Sequence, residues 1–365
     1  MQCFTLLSFN LFIDPYGIFN FITIKNVNLS KIKQETNVRI FKSLEVLQKK
    51  PKILLLGSSR TDVGLNPRHV KQLDINTVYN LGILGANMYE VMRYFQQSIA
   101  VEPNIKKVIL GIDFFMFNEN RDADASFYED LLEQKYFWSS FLKWTFSIDT
   151  VFASFETIQW NQAGKTLTPY DDYGTRNEKY FIRYNLPEES KIKGFEVTLK
   201  RFLEDRSLYK DYQLSPASLE YLKKIVETCK EKNIDLYIFI SPSHVTQWEA
   251  IHKAGIWPIF EQWKREVVKI SEVWDFSGYN SITEEIISDR MSNYLDSSHY
   301  SQAVGELIFQ RLLNQNHNQI PSDFGTVINT DNIDDYLSTT RNQRALWLET
   351  NSQTVEFLNN INVDL

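Results

Sequence analysis

Cysteine is almost missing from this chain: Cys3 and Cys229 are the two in 365 residues. Two sulfurs so far apart in sequence supply neither a disulfide framework nor a zinc-ligand pattern. Basic charge is also in short supply, since 39 Lys and Arg against 46 Asp and Glu leave a formal net charge of −7. No strongly basic stretch stands ready to neutralise phosphates, which argues against nucleic acid as the main partner. Long apolar runs are lacking too. Met1–Ile13 is uncharged and largely apolar, but it is shorter than the roughly 20 residues that span a bilayer as a helix, and no basic leader precedes it. It reads as a core element or as the remnant of a membrane anchor whose beginning is absent. There is no internal repeat and no long low-complexity tract.

What is present is a globular composition. Hydrophobic residues make up 43% and charged residues 23%, while 14% aromatic is high and points to broad apolar or sugar-binding surfaces. The length suits one large α/β domain with an insertion, or two domains. Five apolar segments, 52–57, 75–80, 106–112, 234–240 and 272–276, read as strands. Helical spacing lies between them: Met88, Val91, Met92, Phe95 and Ile99 share a face, as do Leu219, Leu222, Val226 and Cys229 after Ser215-Pro216, and Val304, Leu307, Ile308 and Leu312. Strands alternating with helices predict a three-layer α/β/α fold around a five-stranded parallel sheet in the order 2-1-3-4-5. The expected layout is an N-terminal extension over 1–50, an α/β domain over 51–314 with an insertion at about 115–214, and a tail of short helices over 315–365. From Phe127 to Tyr184 the insertion is rich in aromatics, among them Trp138, Trp144, Trp160, Tyr170 and Tyr173. They fill a subdomain core, or some of them line a cleft and stack on sugar rings or an acyl chain.

The stretch PKILLLGSSRTDVGLNP at 51–67 ends a buried-strand pattern on Gly57-Ser58-Ser59. In an open α/β sheet the ligand site lies beyond the carboxyl ends of the strands, so these hydroxyls are either a turn into the next helix or the start of a reactive loop. Far downstream, Asp296-Ser297-Ser298-His299 precedes the last strong helix, in a chain with five histidines. A carboxylate three residues ahead of a histidine holds the imidazole by Nδ1–H and leaves Nε2 to take a proton from a hydroxyl. With the first strand at the topological switch point, the two loops are expected to meet, bringing Ser59 to His299.

Together these blocks resemble the SGNH or GDSL hydrolases, whose first block is Gly-x-Ser after the first strand and whose last is Asp-x-x-His near the C-terminus. Asn80-Leu81-Gly82-Ile83-Leu84-Gly85 looks like the second block. More narrowly, Asp14-Pro15-Tyr16-Gly17-Ile18-Phe19, Gly-Ser-Ser-Arg-Thr at 57–61 and Asp275-Phe276-Ser277-Gly278 resemble membrane-anchored, extracytoplasmic proteins of the D-alanyl transfer and polysaccharide O-acetylation type. The resemblance implies an acyltransferase or esterase of the cell envelope, acting on acyl groups of a cell-surface glycan or related polymer. It is expected to need no metal or cofactor, and a membrane-bound O-acyltransferase is an expected partner. By the same resemblance Ser59 is the nucleophile, His299 the base, Asp296 the orienter, and the N–H groups of Ser59 and Gly85 donate to the oxyanion.

The third block departs from the pattern. Superfamily members carry Gly-x-Asn-Asp, with the Asn amide as a further oxyanion donor, where this chain has Gly111-Ile112-Asp113-Phe114. An ionised Asp113 cannot donate. It is protonated, turned toward Arg60 or another cation, or engaged by another substrate group; Asn80 and Asn87 are candidates for the missing amide. The departure also keeps open a catalytically degenerate protein that binds glycan or a membrane acyltransferase. A flavodoxin-like phosphate or nucleotide binder using the Gly-Ser-Ser turn is a third reading. Ser241-Pro242-Ser243-His244, after the fourth strand, is either a further substrate contact or a helix cap. Gly164-Lys165-Thr166 lacks the first glycine of a phosphate-binding loop, with Gln159 in its place.

Overall fold

The run Ile53–Gly57 forms an interior strand because its leucines have apolar partners on both sides. In the computed structural model, which describes residues 2–70, 73–133, 147–314 and 320–362, Leu54, Leu55 and Leu56 are all wholly buried. Strands β1 (Ile53–Gly57), β2 (Val78–Gly82), β3 (Lys107–Ile112), β4 (Asp235–Ile240), β5 (Val273–Asp275) and β6 (Thr326–Ile328) form one sheet in the order β2-β1-β3-β4-β5-β6. The first five are parallel, and β6 pairs antiparallel with β5. The expected five-stranded, all-parallel sheet is thus a mixed six-stranded one. The extra strand comes from the stretch beyond Gln315, where the sequence suggested only short helices; that stretch also forms helices Ile333–Thr350 and Ser352–Asn359. The second strand starts at Val78 rather than at 75, because the Asp74 side chain accepts from Asn76 N–H at 3.2 Å and winds Ile75–Thr77 into a 3-10 turn.

Alternate side chains leave the sheet on opposite faces. Leu54 and Leu56 join Tyr79, Leu81, Val108, Leu110, Ile238 and Ile240 in one cluster, covered by helices Met88–Val101, Pro216–Glu231 and Trp257–Ile270. Leu55, Val78, Ile109 and Phe239 enter a second cluster under helix Gln302–Leu312. Burying each such side chain contributes about 1.5–3 kcal/mol, which is why uninterrupted apolar runs lie here. Ser215, just before Pro216, caps its helix by accepting from Ser218 N–H, and Asn87 closes a capping box with Glu90. Cys229 packs in the first cluster as a small hydrophobe, and burial pushes its thiol up to about 12.

Helix Gln2–Ile13 lies against helix Ile148–Gln162 of the insertion. Among the described residues no helix is long and apolar enough to cross a membrane. The insertion continues through helices Glu178–Asn185 and Lys191–Glu204. Its loop before Glu178 is stitched to the sheet domain, with Asn80 N–H donating to Tyr173 O at 2.8 Å and Arg176 N–H to Asp62 O at 3.0 Å. Trp138 and Trp144 lie outside the described residues.

Two glycine contacts set the geometry around the first loop. Gly57 has φ +150°, and a Cβ there would stand 2.8 Å from the Gly111 carbonyl oxygen on the neighbouring strand. Helices Ser59–Gly64 and Gln302–Leu312 cross at Gly64 and Gly305, where a Cβ on Gly305 would reach 2.8 Å from the Gly64 carbonyl carbon. Only glycine permits that approach, and it presses the helix that starts at Ser59 against the helix that follows His299.

Candidate active site

At the end of β1 the Ser58 side chain accepts from Arg60 N–H at 3.2 Å and caps a short helix whose first residue is Ser59. At the far end of the chain Asp296 folds its own loop. Its Oδ1 accepts from Ser298 N–H at 2.7 Å and His299 N–H at 2.8 Å, while Leu295 N–H donates to His299 O at 2.9 Å. The turn brings His299 Nδ1 to 2.8 Å from Asp296 Oδ2 and directs Nε2 to Ser59 Oγ at 2.9 Å, between residues 240 positions apart. Ser59, His299 and Asp296 therefore stand in one hydrogen-bonded line.

Asp296 is 3% exposed. Burial pushes its carboxyl up, but the His299 imidazole and the N–H groups of His299 and Ser298 outweigh burial and leave it below the ordinary carboxylate range. An ionised Asp296 fixes the tautomer in which Nδ1–H donates to it and Nε2 is free to accept from Ser59 O–H. The Phe181 ring, from the insertion, packs 5.1 Å from the imidazole.

Ser59 and Gly85 line the same cavity, of about 510 Å³. Ser59 N–H belongs to the first turn of its helix, where backbone donors have no helical acceptor. No described residue accepts from it or from Gly85 N–H. Gly85 has φ +62° and follows a turn in which Ile83 N–H donates to Gly57 O at 3.0 Å, tying the two loops together.

The other expected oxyanion or substrate residues are elsewhere engaged. Asp113 accepts from Ser58 Oγ–H and from Arg60 Nη1 at 2.9 Å, and the pair is buried, with Arg60 2% and Asp113 1% exposed. Arg60 Nε reaches across to Ser298 Oγ at 3.1 Å. Asp113 is thus the carboxylate turned toward Arg60, and both belong to the floor beneath the loops, not to the cavity wall. Asn80 donates its amide to Thr61 O at 2.9 Å and Leu65 O at 2.7 Å, and Asn87 donates to Arg121 O at 2.8 Å. Neither supplies the missing amide.

His244 is also structural: fully buried, it accepts at Nδ1 from Thr246 N–H at 3.2 Å and donates from Nε2 to Glu285 O at 2.7 Å, and burial lowers its imidazole to about 4. Of the insertion aromatics singled out above, Trp160 packs on Tyr184, Tyr170 on Phe41, and Tyr173 under Arg68. The aromatic side chains that line the cavity are Phe115, Phe181 and Phe202.

Sequence reasoning missed the arginines of this cavity, Arg39, Arg121, Arg176 and Arg201. They come from the N-terminal extension and the insertion, with no shared local pattern. Arg39 forms a two-pronged pair with Glu90 at 2.7 and 3.2 Å, and Arg176 pairs with Glu35. No group of three or more His, Cys, Asp or Glu among the described residues could hold a metal ion. Comparison with models of known protein families and with curated proteins gives no match.

Proposed function

We propose that this chain is a serine esterase or acyltransferase of SGNH type, acting on acyl groups of a cell-surface glycan or related polymer through an acyl-enzyme on Ser59. The observation that carries the reading is the line from Asp296 Oδ2 through His299 to Ser59 Oγ, with both contacts under 3 Å at 2.8 and 2.9 Å. Ser59 Oγ attacks the ester carbonyl as its proton passes to His299 Nε2. The oxyanion forms against the N–H groups of Ser59 and Gly85. His299 then gives that proton to the departing alkoxide. In the second half, water or an acceptor hydroxyl loses a proton to the same nitrogen and takes the acyl group, which regenerates Ser59. The finer architecture, three layers with the 2-1-3-4-5 order, belongs to the same reading, as does an extracytoplasmic setting beside a membrane-bound O-acyltransferase. The test is a fluorophosphonate probe. Labelling of the wild type and not of Ser59→Ala is expected, together with Ser59-dependent acetate release from an aryl acetate; absence of both sinks the reading.

One observation favours a second reading, a catalytically silent protein that binds glycan or a membrane acyltransferase: Asp113 replaces the expected side-chain donor and is locked in its pair with Arg60. Losing one oxyanion donor costs about 3–4 kcal/mol, a hundredfold or more in turnover. That reading predicts glycan or partner binding that survives Ser59→Ala with no probe labelling of either protein.

A further inference from the structure

Around Ser59 the cavity carries more positive charge than its own acids use. Arg39 is consumed by Glu90 and Arg176 by Glu35. Arg121 has no such partner: its Nε and Nη2 donate to the Gly85 carbonyl, and Nη1 donates to Ser207 O and Oγ, each at 3.2 Å. No carboxylate among the described residues lies within 4.0 Å of Arg121 or of Arg201. Of the nearby acids, Glu90 pairs with Arg39, Asp205 accepts from Ser207 N–H at 2.8 Å, and Asp124, on the same cavity wall, lies 3.7 Å from Arg39 and is lowered, against burial, by hydrogen bonds from Ser126 and by the charges of both Arg39 and Arg121.

Burial lowers Arg121 to about 10, with the charges of Glu90 and Asp205 opposing the shift and those of Arg201 and Arg39 adding to it. At neutral pH it nevertheless stays protonated. Two guanidinium groups therefore face one cavity, one of them half-buried over the Phe115 ring at 5.0 Å, and neither is in ion-pair contact with a carboxylate of the described residues. Such an arrangement is costly alone and is relieved by an anion, for which the planar fork of arginine is well shaped.

We propose that Arg121 and Arg201 form an anion subsite beside Gly85, so that the substrate handled at Ser59 carries a carboxylate or phosphate group. The inference rests on the reading of Ser59 as the acyl-carrying residue for its meaning, but the subsite itself is tested without turnover. The volume of about 510 Å³ accommodates a sugar-sized unit together with an acyl group. Arg121 also touches the loop that presents Gly85 N–H, so an anion there lies next to the reacting carbonyl.

The experiment is calorimetric titration of the Ser59→Ala protein with D-glucuronate, with inorganic phosphate and with neutral D-glucose at low salt. Saturable binding of at least one anion and none of glucose is expected, and the anion preferred separates a carboxylate source from a phosphate source. Arg201→Ala, a change at an exposed side chain, is expected to weaken the anion at least tenfold; Arg121→Gln does the same and Arg121→Lys restores part of it. No saturable anion binding, or equal binding by the Arg201→Ala protein, overturns the subsite. Failure of fluorophosphonate labelling with anion binding intact would instead remove the catalytic reading and leave the subsite standing.

Discussion

Arg60 and Asp113 meet at 2.9 Å with neither side chain more than 2% exposed. Ser58 donates to Asp113 and Ser298 accepts from Arg60, so the pair joins the loops after β1 and β3 to the loop that carries His299. Breaking a buried pair on one side strands the other charge. Arg60→Met is therefore expected to cost about 3–5 kcal/mol of stability, read as a lower denaturation midpoint in urea. Asp113→Asn restores the letter expected in the third block, yet it is expected to lower the thermal midpoint and to leave aryl-acetate hydrolysis no faster. A gain in turnover would place residue 113 at the oxyanion after all.

Asp296 holds His299 in the productive tautomer through Nδ1. In Asp296→Asn the amide can still accept from the backbone donors of its loop, so the fold is expected to survive. Turnover is expected to fall about ten-thousand-fold, measured as kcat against an aryl acetate, with a circular dichroism melt close to that of the wild type. A loss below tenfold would remove Asp296 from the role of orienter of His299.

Gly85 sits at φ +62°, and a Cβ added there would stand 3.0 Å from Arg121 Nη2. Gly85→Ala imposes about 1–2 kcal/mol of left-handed strain and crowds the arginine. The expected result is a fall in kcat of tenfold or more, with the Ser59 probe still reacting, because the nucleophile and base are untouched. An unchanged kcat would free Gly85 from any role in the oxyanion site.

Glu45, on helix Val38–Lys49 of the N-terminal extension, is buried and accepts from Tyr79 O–H at 2.6 Å, and burial raises its carboxyl from 4.5 to about 7. Between those two values the folded chain keeps a proton that the unfolded chain releases. Stability is therefore expected to fall as pH rises from about 4.5 to about 7 and to level off above, by roughly 3 kcal/mol at most. Glu45→Gln is expected to flatten that slope in urea titrations run from pH 5 to pH 8. An identical slope in the variant would assign the dependence to another group.

The legible parts were those in which a side chain reports on its own neighbours. Ile53–Gly57 and Lys107–Ile112 announce themselves because strands buried on both faces must be apolar throughout, and Ser59 and His299 follow from standing just after such elements or just before a strong helix. β6 gave no signal, since of Thr326, Val327 and Ile328 only the last is buried. Asp113 was legible as a departure but not as a partner of Ser58, because nothing local records a contact between residues 55 positions apart. The cavity arginines were invisible for the same reason: each is one charged residue in an ordinary polar stretch, and only the path of the insertion brings them together.

The stitch between the insertion and the sheet domain has a further consequence. Asp62, one turn along the helix that begins at Ser59, receives Tyr170 O–H at 3.2 Å on its carboxylate and Arg176 N–H at 3.0 Å on its carbonyl, while Lys42 from the N-terminal extension donates to the same carboxylate. Two stretches of chain distant in sequence thus grip one turn of backbone. The insertion is consequently no detachable accessory: trimming it to graft a new specificity would loosen the seat of the nucleophile itself, and descendants of this protein can diversify their outer walls only while keeping the 170–176 loop in place.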